Sequence, residues 1–121
     1  MISGTGCDLL EIARIKALME KSYSNKIFTD QERRQANGKI SMLAGDFSVK
    51  EAVAKALGTG FRGFRPIDIE VLRDELGKPY VVLSDNAKKR LQEIGGKSIH
   101  VSISDTRELV MAFAVIEGDE I

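Results

Sequence analysis

Apolar residues recur at two different periods along this chain, and the change of period divides it. Ile12, Ile15 and Leu18/Met19 fall at helical spacing and predict an amphipathic helix over 9–21. Asp8 stands before it as an N-cap, with Glu11 three residues on in the capping-box position. Residues 1–7, short and interrupted by glycine, predict a first strand ending at Gly6-Cys7. Residues 22–28 read as a loop. Thr29 and Glu32 then form a second capping box that opens a helix of one or two turns. The strongest helical signal covers 39–57, where Ile40, Leu43, Ala44, Phe47, Ala54 and Leu57 recur three or four apart and Gly58 follows as a stop.

After the loop from Gly58 to Pro66 the period becomes two. Ile67, Ile69 and Val71 alternate with Asp68, Glu70 and Leu72, which predicts a strand over 67–73 with one wet face. Asp74 to Pro79 supplies a turn and Tyr80 to Leu83 a return strand. Ser84 caps a helix to about Ile94, stopped by Gly95-Gly96. Ile99, Val101 and Ile103 alternate with His100, Ser102 and Ser104, and a turn near Asp105–Glu108 leads into an apolar strand over 109–116. Short turns between successive strands imply antiparallel pairing. Helices first and hairpins later predict an α+β fold in a single domain, 1–121, with a long central helix on a mainly antiparallel sheet.

Composition narrows the function classes. The 121 residues carry 18 Lys+Arg against 18 Asp+Glu, a net charge of zero, which argues against a general nucleic-acid binder. The longest uncharged apolar run, Leu109 to Ile116, is far short of the roughly twenty residues a membrane span needs. The N-terminal residues lack the basic and apolar regions of a signal peptide. The single Cys7 excludes an intrachain disulfide and a Cys-cluster metal site. A cytoplasmic protein is expected, with neither nucleic acid nor membrane as partner.

One residue of the long helix is out of pattern. Stepping along its apolar stripe lands on Glu51, with Lys55 one turn further. Either the two form a surface ion pair at the edge of the stripe, or Glu51 is a metal ligand or general base and Lys55 serves an anionic group. Asp8 is open in the same way: an N-cap needs no function, whereas a second carboxylate near Glu51 completes a hard oxygen site of the kind Mg²⁺ takes. Gly58-Thr59-Gly60 follows a helix C-terminus, so it is not a P-loop. His100 points to the strand face opposite the apolar residues, together with Ser102 and Ser104, and a lone histidine there reads as structural before catalytic.

Taken together the segments resemble a family. Gly6-Cys7-Asp8 matches its Gly-x-Asp motif, and Phe47 to Gly58 matches F-x-x-K-E-A-x-x-K-A-x-G, followed by Thr59-Gly60. Gly77-Lys78-Pro79 and His100-Val101-Ser102-Ile103-Ser104 match later signatures in the right order. The chain is similar to the holo-[acyl-carrier-protein] synthases, the small bacterial type of 4′-phosphopantetheinyl transferase.

That resemblance implies transfer of the 4′-phosphopantetheine arm from coenzyme A, the substrate, to a serine of apo-acyl carrier protein, with release of adenosine 3′,5′-bisphosphate. It implies Mg²⁺, with Mn²⁺ as an alternative, held by Asp8 and Glu51, and catalytic roles for Glu51, Lys55 and Asp8. Lys50, Lys55, Gly58, Thr59, Gly60, Pro79, His100 and Ser102 are implied as coenzyme contacts, and Arg14 as a contact for the acidic carrier. It implies a homotrimer with active sites at subunit interfaces, and a place in fatty acid biosynthesis and lipid metabolism. Residues 11–40 carry seven basic against four acidic side chains, which suits an acidic partner. One position departs from the family pattern: Asp46 stands where relatives commonly have Arg before the motif's Phe, so either a neighbour such as Lys50, Arg62 or Arg65 supplies that charge or the coenzyme's nucleotide end sits differently.

Overall fold

Pairing between the two ends of the chain organises the molecule. In a computed structural model, which describes residues 1–22 and 24–119, strand β1 (Ile2–Glu11) lies antiparallel to β5 (Leu109–Gly118), and β5 lies antiparallel to β4 (Gly96–Asp105). The three form one sheet in the order β1-β5-β4. A second, two-stranded antiparallel sheet joins β2 (Ile69–Arg73) to β3 (Pro79–Leu83). Helix α1 (Ile12–Met19) follows β1 directly, and α2 (Asp30–Ala36) precedes the long α3 (Ile40–Ala56). Helix α4 (Asp85–Glu93) links the two sheets. The α+β class and antiparallel hairpins are as the pattern predicts. None of the described helices is long and apolar enough to cross a membrane.

Helix α3 is buried on most of its circumference. Val49, Val53 and Leu57 join Ile69, Val71 and Ala112 in one apolar core, and Leu43 and Ala44 join Leu10, Ile15, Phe28 and Val110 in another. The exposed edge of its C-terminal half holds Phe47, Glu51 and Lys55. Glu51 therefore does not interrupt a buried stripe, as its spacing suggested; it sits half-buried on the open edge of a helix that is buried nearly all round.

Small residues let α3 lie against β1. A Cβ added to Gly6 would collide with the Ala52 carbonyl oxygen, and one added to Gly4 with that of Ala56. No side chain can retract from such a clash, because backbone stands on both sides.

The first segment departs most from expectation. Asp8 is not an N-cap and no helix starts at 9. Strand β1 runs four residues beyond Cys7 because β5 keeps pairing with it, through Asp8↔Ala112, Leu9↔Met111, Leu10↔Val110 and Glu11↔Leu109. Glu11 occupies the cap position without a side-chain bond, and the Ile12 amide donates instead to the Glu108 carbonyl at 2.9 Å. Tertiary pairing thus overrides a local capping signal.

Strand β2 starts at Ile69 and not at 67, because Pro66–Asp68 form a 3₁₀ turn in which the Asp68 carboxylate accepts from the Arg65 amide at 2.9 Å. Its second face is not wet: Leu72 is buried, and Glu70 accepts from the Thr29 hydroxyl at 2.6 Å. Ser84 precedes α4 with no side-chain cap bond. The Thr29–Glu32 capping box is present in both directions.

Gly6→Ala should cost about 3 kcal/mol or more, at the upper end of overpacking, with no rotamer available to relieve it. Urea unfolding of the variant checks this; a loss below about 0.5 kcal/mol would mean that α3 and β1 can separate freely.

Candidate active site

The alternation of β1 decides which of its side chains meet α3. Gly4, Gly6, Asp8 and Leu10 point inward, so Asp8 emerges beyond the two glycines, alongside the turn of α3 that carries Ser48 and Glu51. One Asp8 carboxylate oxygen accepts from the Ser48 hydroxyl at 3.1 Å, and the other lies 3.7 Å from the Lys55 ammonium. Lys55 also donates to the Cys7 carbonyl at 2.9 Å. The expected i,i+4 pair with Glu51 gives way to these contacts with β1.

Glu51 lies close enough to Asp8 to feel its charge. Partial burial first, and then the negative charge of Asp8, push the Glu51 carboxyl above its ordinary pKa; Lys55 and Arg14 pull it back. Two acids 43 positions apart therefore share one environment, and Arg14 of α1 faces it as well. Asp8 and Glu51 thus offer two hard oxygen donors in one place, with Lys55 and Arg14 as the positive charges beside them. Among the described residues no set of three or more His, Cys, Asp or Glu side chains is gathered as a full protein cage for a metal. The arrangement fits Mg²⁺, which takes one or two carboxylates and fills its shell with water and phosphate oxygens. A groove of about 450 Å³ lined by Cys7, Asp8, Leu9, Lys55 and Met111 opens at this point.

At the C-terminal end of α3, Gly58 and Gly60 adopt positive φ of 85° and 61°. The carbonyl end of the helix would repel phosphate, but cations gather there. Arg90 donates to the Leu57 carbonyl at 2.9 Å. Arg62, Lys89 and Arg90 line a cavity of about 240 Å³ next to Thr59. The sequence pattern does not single out Lys89 or Arg90, because they come from α4, far along the chain.

Three expected coenzyme contacts lie elsewhere. His100 and Ser102 pair across from Val115 and Phe113 on the outer face of the sheet, whereas Asp8 faces inward toward α3. The His100 imidazole meets the Glu117 carboxylate at 2.7 Å. A single chain does not bring either residue to Asp8 and Glu51. Pro79 opens β3 in the other sheet, opposite Arg73.

Lys50 corrects an expectation. Its side chain is 0% exposed, and it donates to Glu32, to the Pro66 carbonyl at 3.1 Å and to the Ile69 carbonyl at 2.6 Å. An ammonium has three donors, so none is left for a coenzyme.

For the same reason Lys50 does not replace the arginine missing at 46. Asp46 is buried and its carboxylate accepts from the Arg73 guanidinium at 2.8 Å. Arg73, reaching over from β2, also lines a cavity of about 320 Å³ with Lys39, Ser41 and Gly45. A guanidinium therefore stands beside position 46 after all, delivered by a different element.

With this geometry in view, comparison with known proteins is decisive. The family model of the 4′-phosphopantetheinyl transferase superfamily matches residues 4–114. The chain belongs to that superfamily. It is 49% identical over 118 residues to a holo-[acyl-carrier-protein] synthase of Lachnoclostridium phytofermentans, covering 97% of each protein. The crystal structure of the Neisseria meningitidis holo-[acyl-carrier-protein] synthase superposes with a TM-score of 0.86 at 36% identity, over 97% of this chain and 99% of that one. The Helicobacter pylori synthase, solved in complex with coenzyme A, gives 0.81 at 28% identity, over 93% and 99%. Motifs that begin the resemblance at Gly6-Cys7-Asp8 and Phe47 to Gly58 thus lie within a likeness that spans the chain.

Burial lifts the Asp46 carboxyl from 3.8 to about 7, against the opposing pull of Arg73. The folded state then binds this proton more tightly than the unfolded state does, so the contribution is full below about pH 4 and fades as pH rises through 7. Urea unfolding at pH 5 and pH 8 should show parent stability falling with pH more steeply than in Asp46→Asn. Equal slopes would mean that Asp46 is ionised throughout.

Proposed function

We propose that this transferase moves the 4′-phosphopantetheine arm of coenzyme A to a serine of apo-acyl carrier protein with a Mg²⁺ ion, or Mn²⁺ in its place, held by Asp8 and Glu51. The observation that carries the reading is the pair of carboxylates, Asp8 of β1 and Glu51 of α3, that the close packing of strand on helix brings into one environment. A divalent ion bound there neutralises charge on the pyrophosphate oxygens.

The residues of the chain divide the remaining work. Lys55, on the rim of the same groove, adds a point charge for a phosphate oxygen. Glu51, its carboxyl pKa raised by partial burial and by Asp8, is the group placed to take the proton of the attacking serine. The new bond joins the serine oxygen to the β-phosphorus; the bond that breaks releases adenosine 3′,5′-bisphosphate with the electron pair. The Gly58-Thr59-Gly60 backbone takes the coenzyme past the cations of α4. Pro79 serves its nucleotide end. Arg14, next to Glu51, receives the acidic carrier.

His100 and Ser102 reach such a site only from a second copy. The outer sheet face that bears them also exposes Leu9, Leu109, Met111 and Phe113, each between 40% and 68% accessible. An apolar face of that kind marks an association surface. A homotrimer whose active sites lie between subunits accounts for both features.

Mass spectrometry of apo-carrier incubated with coenzyme A and Mg²⁺ should show the phosphopantetheine addition. In Glu51→Gln the rate should fall at least about 100-fold while circular dichroism shows an intact fold. A folded Gln variant with near-parent rate would remove Glu51 from both of its roles.

A further inference from the structure

Lys50 and Glu51 are neighbours in sequence with opposite surroundings. Successive helix residues point about 100° apart. Lys50 is driven inward, to a site where every partner is fixed. Its ammonium lies 2.8 Å from one Glu32 oxygen and 3.0 Å from the other, besides the Pro66 and Ile69 carbonyls. Glu32 is fully buried too, and its carboxylate also accepts from the Thr29 amide at 2.7 Å and the Val71 amide at 2.8 Å. The network therefore ties α3 to α2, to the 3₁₀ turn and to β2 with directional bonds.

Such a network is a poor way to gain stability. Taking two charges out of water costs about as much as their attraction returns, and an apolar pair of the same volume often does as well. What directional bonds supply is position. The close contact of α3 with β1 is made by glycines and alanines, which set the separation of the two elements, and its directional bonds, from Ser48 and Lys55, lie on that same side of the helix. Lys50 acts from the other side of the helix. With its ammonium pinned to two backbone carbonyls, α3 has one rotation and one height, and Glu51 is turned to the open edge beside Asp8.

We infer that Lys50, fastened by Glu32, is a positioning residue that sets the register and rotation of α3 and so aims Glu51 at Asp8. The inference rests on the reading of Asp8 and Glu51 as the cation site, and it moves Lys50 from the coenzyme to the scaffold behind it.

The test uses Lys50→Met combined with Glu32→Gln, which leaves no buried charge unpaired, with thermal unfolding as the control for folding. Mn²⁺ affinity is read by electron paramagnetic resonance in the presence of coenzyme A, without turnover. In the folded double variant Mn²⁺ affinity and kcat should each fall about 10-fold, the size expected for loss of a supporting shell. KM for coenzyme A should stay within about twofold, since Lys50 does not touch it. Parent-like Mn²⁺ affinity and kcat would overturn the proposal, as would a loss confined to the KM of coenzyme A. If the double variant does not fold, Glu32→Gln alone carries the test, with smaller losses in the same direction supporting the proposal and none overturning it. A parent chain that binds no Mn²⁺ would fail the cation reading instead, and kcat alone would then decide on Lys50.

Discussion

The distance between α3 and β1 is the constraint on which the site depends. Two carboxylates can share a cation only if their backbones come close, and backbones come close only where side chains are absent. Gly4 and Gly6 provide that absence directly under the carbonyls of Ala56 and Ala52. Asp8, the next inward residue of the strand, is then delivered to the turn of α3 that holds Ser48 and Glu51. The Gly-x-Asp spacing is thus a packing statement before it is a chemical one: glycine sets the separation, and strand alternation brings the acid to the same face two residues later.

Much of this was legible along the chain. The period-two segments became β2, β3, β4 and β5, the Thr29–Glu32 box closes as its spacing requires, and α3 ends at its glycine. The misreadings share a cause. Asp8-x-x-Glu11 has the form of a capping box, but β5 goes on pairing with these four residues, and a sheet partner distant in sequence leaves no local trace. Leu72 and Glu70 looked solvent-facing because α2, which covers them, comes from forty residues earlier. The pairing of Lys50, read as a coenzyme contact, with Glu32, read as a capping residue, was hidden for the same reason, since a buried ion pair has no periodicity. Arg73 beside Asp46 is a third instance: the substitution was visible at 46, and its compensation stood on another element.

Charge balance takes on a different meaning once the fold is known. Equal totals of acid and base conceal an uneven distribution, with an excess of basic residues from 11 to 40 and only acids after Glu108. Some of these charges never meet solvent. Glu32–Lys50 and Asp46–Arg73 are structural pairs, one fully buried and one nearly so, and they leave Lys55, Arg14 and the cations near Thr59 as the positive groups open to a phosphate-bearing ligand. His100 and Ser102 stand apart from this division of labour, on the far face of the sheet.

The claim that Asp8 and Glu51 form one cation site is tested most directly by a crystal structure of the chain with Mn²⁺ and coenzyme A, read by anomalous scattering. The account predicts a single manganese peak in bonding contact with carboxylate oxygens of both residues. A peak that touches only one of them, or neither, would contradict it.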